Sequence, residues 1–343
     1  MKTSTAPEKD PIDQIDQILN QQAEDVMHLL GRTTIDIDNK GKIILSWGSP
    51  DKRRNADPVE FGDISRKCFC QEESIYYSDA SILCLYPKSG KALMCSAGCG
   101  PEPCRHHFRD MLKISSSLKE NALTIINLPG SGASVPQHFH TQILSTRFRK
   151  GNKPVKNFPI KLFENIVTAD FNKNAGSVIF LSEVKHPIWG FVLDFSKFSG
   201  GAESIADFIY EVIHEGIRYQ SQLFISYNIY IESPQWRKIT ILFRESRMER
   251  VCSTQEMFQL VEAAVNTEKA LSIAQSDNRF WRWGWLEILG GLPARDNSFD
   301  NKAFDMTFWN KVYRRLNIPK VSQKYILGYV GNSISKLKNK HRT

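Results

Sequence analysis

"ALTIINLPGSGASVPQHFHTQIL", Ala122 to Leu144, decides how the rest of the chain is read. Its first residues, "ALTIINL", form a short apolar run with the character of a buried strand. The run ends in "PGSGAS", where proline, glycine and small residues break the strand. The chain then resumes with His138, Phe139, His140, Thr141, Gln142 and Ile143. In a strand, alternate side chains share a face. His138, His140 and Gln142 therefore line one surface, while Phe139, Thr141 and Ile143 point the other way, into a core. The chain has eight histidines, and two of them stand two residues apart directly after a glycine loop.

These residue types point to phosphorus chemistry. Gly130 and Gly132 leave backbone N–H groups approachable, and Ser134 adds a hydroxyl, an arrangement that cradles phosphate oxygens. A neutral imidazole is a nucleophile near physiological pH, and the phosphoramidate it forms can pass its group onward. Asn127, just before the loop, could hold a phosphate or a ribose, or could be a turn residue. Two other readings of the pair remain open: histidines satisfied within a strand, and an HxH pair of metal ligands.

Working outward, Ile12, Ile15, Leu19, Val26 and Leu30 recur at helical spacing, closed by Gly31. "TTIDID", "GKIILSWG" and "SILCLYP" read as short strands, and His106 to Lys119 as a helix. "SVIFLSE" and "GFVLDF" are strands again. A helix from Ser204 to about Leu223 follows, with Ile205, Phe208, Ile209, Val212 and Ile213 as its stripe. "LFISYNIYIE" and "RKITILFRE" then pair across "SPQW". A capping box, Ser253 to Glu256, opens a helix through Ala264, and a last helical pattern carries Phe308 to Leu316.

Short connections between strands argue an α+β fold with antiparallel sheet. A helix precedes a strand–turn–strand unit twice, so the second half echoes the first without its histidines. The expected division is an N-terminal tail, helix and short strands over 1–59, a catalytic half over 60–156, a second half over 157–320, and a basic tail over 321–343.

The 343 residues carry a net charge of +8 and 41% hydrophobic content, enough for a sizeable core. Basic runs at 52–54, 147–156 and 336–342 suit anionic ligands such as nucleotides. No zinc-finger or aromatic RNA-binding signature is present, so no nucleic-acid partner is expected. No apolar run reaches the length of a membrane span, and no signal-peptide layout opens the chain. Seven cysteines without framework spacing favour a reducing, cytoplasmic home.

The string "GASVPQHFHTQ" resembles the active-site motif of the histidine-triad superfamily, in its transferase branch. That branch includes galactose-1-phosphate uridylyltransferase, diadenosine tetraphosphate phosphorylase and the GDP-hexose phosphorylases. Hydrolases of the superfamily end the motif with a third histidine, and transferases carry glutamine, as Gln142 does here. "HPIWGFVLDF", "YNIYIESPQWRKITILFRES" and "WLEILGGLPARDNSFDN" resemble later blocks in the same order, so the likeness spans roughly residues 60 to 315.

The resemblance implies two histidine-triad-like halves, each with an antiparallel sheet covered by helices. It implies a nucleotidyltransferase or phosphorylase that splits a nucleotide-sugar or dinucleoside polyphosphate. His140 would be the nucleophile, forming a covalent nucleotidyl-histidine. Gln142 would steady the phosphoryl oxygens, and His138 would orient the site. Gly130, Gly132 and Ser134 would hold the distal phosphate. Asn228 would face the pocket, and Arg244 or Arg247 would neutralise phosphate charge unless they salt-bridge at the surface. Glu287 would be a pocket residue or a salt-bridged one.

No cofactor is required for such chemistry. The branch's zinc ligands correspond to Cys68, Cys70, His106 and His138, although a CxC pair departs from the usual CxxC spacing. A second group is Cys95, Cys99, Cys104 and His106. The implied partner is a nucleotide or nucleotide-sugar; a homodimer is left open. The competing functions are a metal-dependent enzyme using the HxH pair as ligands and a non-catalytic nucleotide-binding protein.

Overall fold

Ten strands form one antiparallel sheet: β1 Ser74–Tyr76, β2 Ser81–Tyr86, β3 Lys91–Ser96, β4 Ala122–Asn127, β5 His140–Ser145, β6 Ala169–Asp170, β7 Phe180–Glu183, β8 Gly190–Asp194, β9 Ile225–Glu232 and β10 Lys238–Glu245. This is a computed structural model. It describes residues 10–30, 42–44, 46–47, 74–86, 91–98, 100, 102–119, 122–128, 131, 138–145, 149–150, 153–154, 169–170, 179–184, 188–221, 223, 225–245, 293–294, 303–305 and 317–340. Outside them lie "TTIDID", the helical patterns at 253–264 and 308–316, and Cys68, Cys70, Cys99, Gly130, Gly132, Ser134, Arg247 and Glu287.

The strand order across the sheet is β6-β7-β8-β10-β9-β4-β5-β3-β2-β1. From one edge it runs 1-2-3-5-4, and from the other 6-7-8-10-9, the same permutation twice. A helix intervenes at the same place in each copy: α2, Arg105–Ser117, between β3 and β4, and α3, Ala202–Ile209, between β8 and β9. The expected duplication is therefore visible as topology. The two halves join edge to edge, Asn127 opposite Asn228 and Ile126 opposite Ile229, so their sheets are continuous.

Antiparallel register sorts the side chains into two faces. Leu83, Met94, Ile126, Ile143, Ile229, Ile241 and Phe191 share one face, and all lie in the main core. The helices cover this face. Phe108, Met111, Leu112 and Ile114 of α2 and Ile205, Ile209 and Ile213 of the α3 segment belong to the same core. Ser115 donates to Thr124 Oγ1 at 2.9 Å, fixing α2 beneath β4. The N-terminal helix α1, Pro11–Leu30, adds Ile15 and Leu19. "ALTIIN" is buried throughout, which explains its unbroken apolar run at the centre of the sheet.

The two covering helices are tied across the halves. Arg109 grips Asp207 with two bonds of 2.7 Å, and Arg105 reaches Glu211 at 2.7 Å. From Tyr210 to Gln220 the α3 segment winds as a π-helix. Gly216 lies in that stretch, and a Cβ there would come within 2.3 Å of the Tyr329 hydroxyl. Tyr329 belongs to α4, Lys320–Lys340. This helix occupies the segment expected as a basic tail, and its Ile326, Val330 and Ile334 are buried in the core. Those three positions are four apart; two glycines, Gly328 and Gly331, and the polar Asn332 and Ser333 lie between them and mask the stripe in the sequence. Among the described residues, no helix is long and apolar enough to cross a membrane.

Candidate active site

The other face of the sheet carries the polar residues. Cys95 pairs with His140, Asn127 with Asn228, and Asn228 with Leu242. Asn127 ends β4 and His140 begins β5, one step beyond the Ile126–Thr141 pair. One lateral row thus reads Cys95, His140, Asn127, Asn228, Leu242. The next row holds Leu93, Gln142, Ile125, Tyr230 and Thr240. Arg244 is on this face too, opposite Ser226.

His140 is 4% exposed. Its Nδ1 lies 3.1 Å from the carbonyl oxygen of His138. A carbonyl only accepts, so Nδ1 carries the hydrogen and donates. In the neutral ring that leaves the lone pair on Nε2. His138 sits in the bend before β5 and is buried. Burial, and then the neighbouring His107, push its pKa below the ordinary histidine value, against an opposing effect from Cys84. Between the histidines, Phe139 is buried against the His107 ring, with centroids 5.0 Å apart. Phe139 N–H donates to the Gly100 carbonyl at 2.7 Å. Gln142 is half-buried, two residues along the same face.

Asn127 is no turn residue: it is buried at the end of β4. Asn228 Nδ2 donates to Asn127 Oδ1 at 2.6 Å and to the Ser131 carbonyl at 2.9 Å. Ser131 donates its N–H to the Leu128 carbonyl at 2.8 Å. The second half of the chain therefore holds Ser131 of the first. The sequence signal for Ser131, a serine four residues past the end of β4, is that of a side-chain-stabilised turn, and the glycines on either side of it draw attention away.

Arg244 is 1% exposed, so it is not the surface salt-bridge residue that was one expectation. It is bridged to Asn317, whose Oδ1 accepts from Trp189 N–H at 3.0 Å. Its strand, β10, is three strands from β5, about 14 Å at ordinary strand spacing. Arg218 links the halves nearby, donating to Glu102 at 2.6 Å and to Ser226 Oγ at 3.1 Å.

Of the residues considered as zinc ligands, His106 is exposed and His138 is buried. His107 has both nitrogens engaged: Nδ1 accepts from Cys104 N–H at 2.9 Å and Nε2 donates to the Ala80 carbonyl at 2.8 Å. The first contact closes the start of α2 in the way a capping-box glutamate would. Cys95 is buried beside His140 and Cys104 is exposed; neither is in a disulfide. Among the described residues, no three His, Cys, Asp or Glu side chains converge as metal ligands.

No protein-family model and no curated protein matches this chain. Among solved structures, yeast Ap4A phosphorylase Apa2, in complex with Ap4A, is similar with a TM-score of 0.50 and 12% identity, over 84% of this chain and 90% of that one. A DUF4931 family protein from Bacillus cereus is similar over 50% of this chain and 84% of that one, with a TM-score of 0.33 and 15% identity. The first likeness shows a shared fold, an α+β arrangement of antiparallel sheet and covering helices.

Proposed function

We propose that this chain is a nucleotidyltransferase or phosphorylase that works through His140. One observation carries the reading: the His138 carbonyl holds the Nδ1 hydrogen, so the nucleophilic lone pair belongs to Nε2, on the polar face of the sheet. Nε2 attacks the α-phosphorus of a nucleotide. A P–N bond forms, the P–O bond to the leaving group breaks, and that group departs with the electron pair. Phosphate, a sugar phosphate or another acceptor then attacks the same phosphorus and releases the histidine. The Gln142 amide, and the loop's N–H groups at Gly130 and Gly132 with the Ser134 hydroxyl, stabilise the charge that builds on the phosphoryl oxygens.

The separation of Arg244 from His140 favours a long, polyanionic substrate. Arg244 suits a distal phosphate, and a dinucleoside polyphosphate fits that span as well as a nucleotide-sugar does. The fold it shares with a phosphorylase that binds Ap4A supports the same class. No step uses a metal; a zinc held by Cys68, Cys70, His106 and His138 would be structural. Initial rates with diadenosine tetraphosphate or a nucleotide-sugar, varied against phosphate, test the reading. A covalent intermediate gives parallel double-reciprocal lines that survive chelation. Intersecting lines would require direct transfer and remove His140 as the carrier.

A further inference from the structure

Asn228 is fully buried, yet only half of its amide is used. Both of its hydrogen bonds run through Nδ2, to Asn127 Oδ1 and to the Ser131 carbonyl. A carbonyl can only accept, so the amide cannot be turned over: the group beside Ser131 must be the NH2. Oδ1 is left as a buried acceptor without a hydrogen-bond partner among the described residues. Such an orphan is costly, and native proteins seldom keep one without a use. It stands on the site face, in the same row as His140.

The chemistry of that orphan excludes the ionised oxygens of a polyphosphate chain, which offer only lone pairs. It calls for a donor. We infer that Asn228 Oδ1 accepts a hydrogen bond from a ribose hydroxyl, so that the site selects ribonucleotides against their deoxy counterparts. This rests on the nucleotide reading above and adds to it a stated group on the substrate. The amide pair is then polar along the row. Asn127, its Oδ1 engaged, has its NH2 left to donate toward phosphate beside His140. Asn228, one strand further, accepts from the sugar.

The test uses the full chain and nucleoside 5′-monophosphates, which have no leaving group and are not consumed. Calorimetric titration first finds the best of AMP, GMP, CMP and UMP, then compares it with its 2′-deoxy and 3′-deoxy forms. Purine riboside monophosphate, compared with AMP, tests a base amine as the donor. The expected result is a loss of about tenfold to a hundredfold for one deoxy form, the scale of a buried acceptor left unsatisfied. In Asn228→Ala the gap should close to within about twofold. The comparison in the unmodified chain stands even where that variant does not fold, and Asn228→Ser provides a smaller change at the same atom. Equal binding of ribose and deoxyribose forms overturns the inference while leaving the nucleotide reading intact. So does a gap that survives either substitution, or one that follows the base amine. Failure of all four monophosphates to bind would instead sink the nucleotide reading and this inference with it.

Discussion

His214 gives the fold a calculable weakness to acid. The ring is 1% exposed, and both nitrogens are engaged in its neutral form. Nδ1 accepts from the Tyr227 hydroxyl at 2.7 Å, and the Pro103 carbonyl takes the other N–H. Burial, and then the charge of Arg218, push its pKa down to about 3. In the unfolded chain an ordinary histidine titrates near pH 6.5. Because the folded value is depressed, the ring's contribution is fully present above about pH 6.5. It is lost as the pH falls toward 3, since the unfolded chain takes up a proton that the folded chain refuses. The slope is about 1.4 kcal/mol per pH unit, so going from pH 7 to pH 5 costs about 2 kcal/mol. That is a large share of the roughly 5–15 kcal/mol that holds a typical domain together. His214→Gln keeps a donor and an acceptor but removes the titration. Urea unfolding of both proteins at pH 7, 6 and 5 gives the assay. The variant should gain on the wild type by about 2 kcal/mol over that range. Asp207, held below the usual carboxylate range mainly by its hydrogen bond from Arg109, also weakens the fold in acid. It is common to both proteins and cancels. A parallel decline of the two proteins would refute the reasoning.

Gln142→Ala should lower kcat by about a hundredfold while KM moves little, because the amide acts on charge present mainly in the transition state; steady-state kinetics separates the two. Arg244→Met keeps the volume of a buried side chain and removes its charge. KM for a polyphosphate substrate should rise at least about tenfold in it, and the wild type's rise of KM with added salt should flatten. Gly190→Ala would bring a Cβ to 2.1 Å from the Ile241 carbonyl and 2.9 Å from Leu242 Cα. Both obstacles are backbone in the paired strand, so thermal unfolding should show a loss of about 3 kcal/mol or more.

Much of the arrangement is legible in sequence because the strands are short and sharply bounded. "ALTIINL" and "HFHTQIL" have opposite patterns for one physical reason. β4 is buried on both faces at the centre of the sheet, whereas β5 has one core face and one polar face. The duplication is harder to read: the second copy keeps the strand order, but its last strand, β10, contains neither histidine nor glutamine. The α4 helix is hidden because it buries about one apolar residue per turn, Ile326, Val330 and Ile334, with Gly328 and Gly331 among them and lysines at both ends. Charged residues with a long sequence separation defeat pattern reading altogether. The Glu102–Arg218 pair spans 116 residues, and no local spacing announces it. Asn228 is the sharpest case. Its place on an apolar strand marks it as unusual, but only the register opposite Asn127 shows which half of its amide is spoken for.

The covalent step can be read directly from the mass of the protein. The full chain, mixed with diadenosine tetraphosphate without an acceptor and quenched in base, should gain the mass of one adenylyl group. Peptide mapping should place that group on His140, and acid should remove it. His140→Ala should show neither the adduct nor turnover while still binding nucleotide. Turnover with an unmodified protein, an adduct on a different residue, or activity retained in His140→Ala would contradict the account.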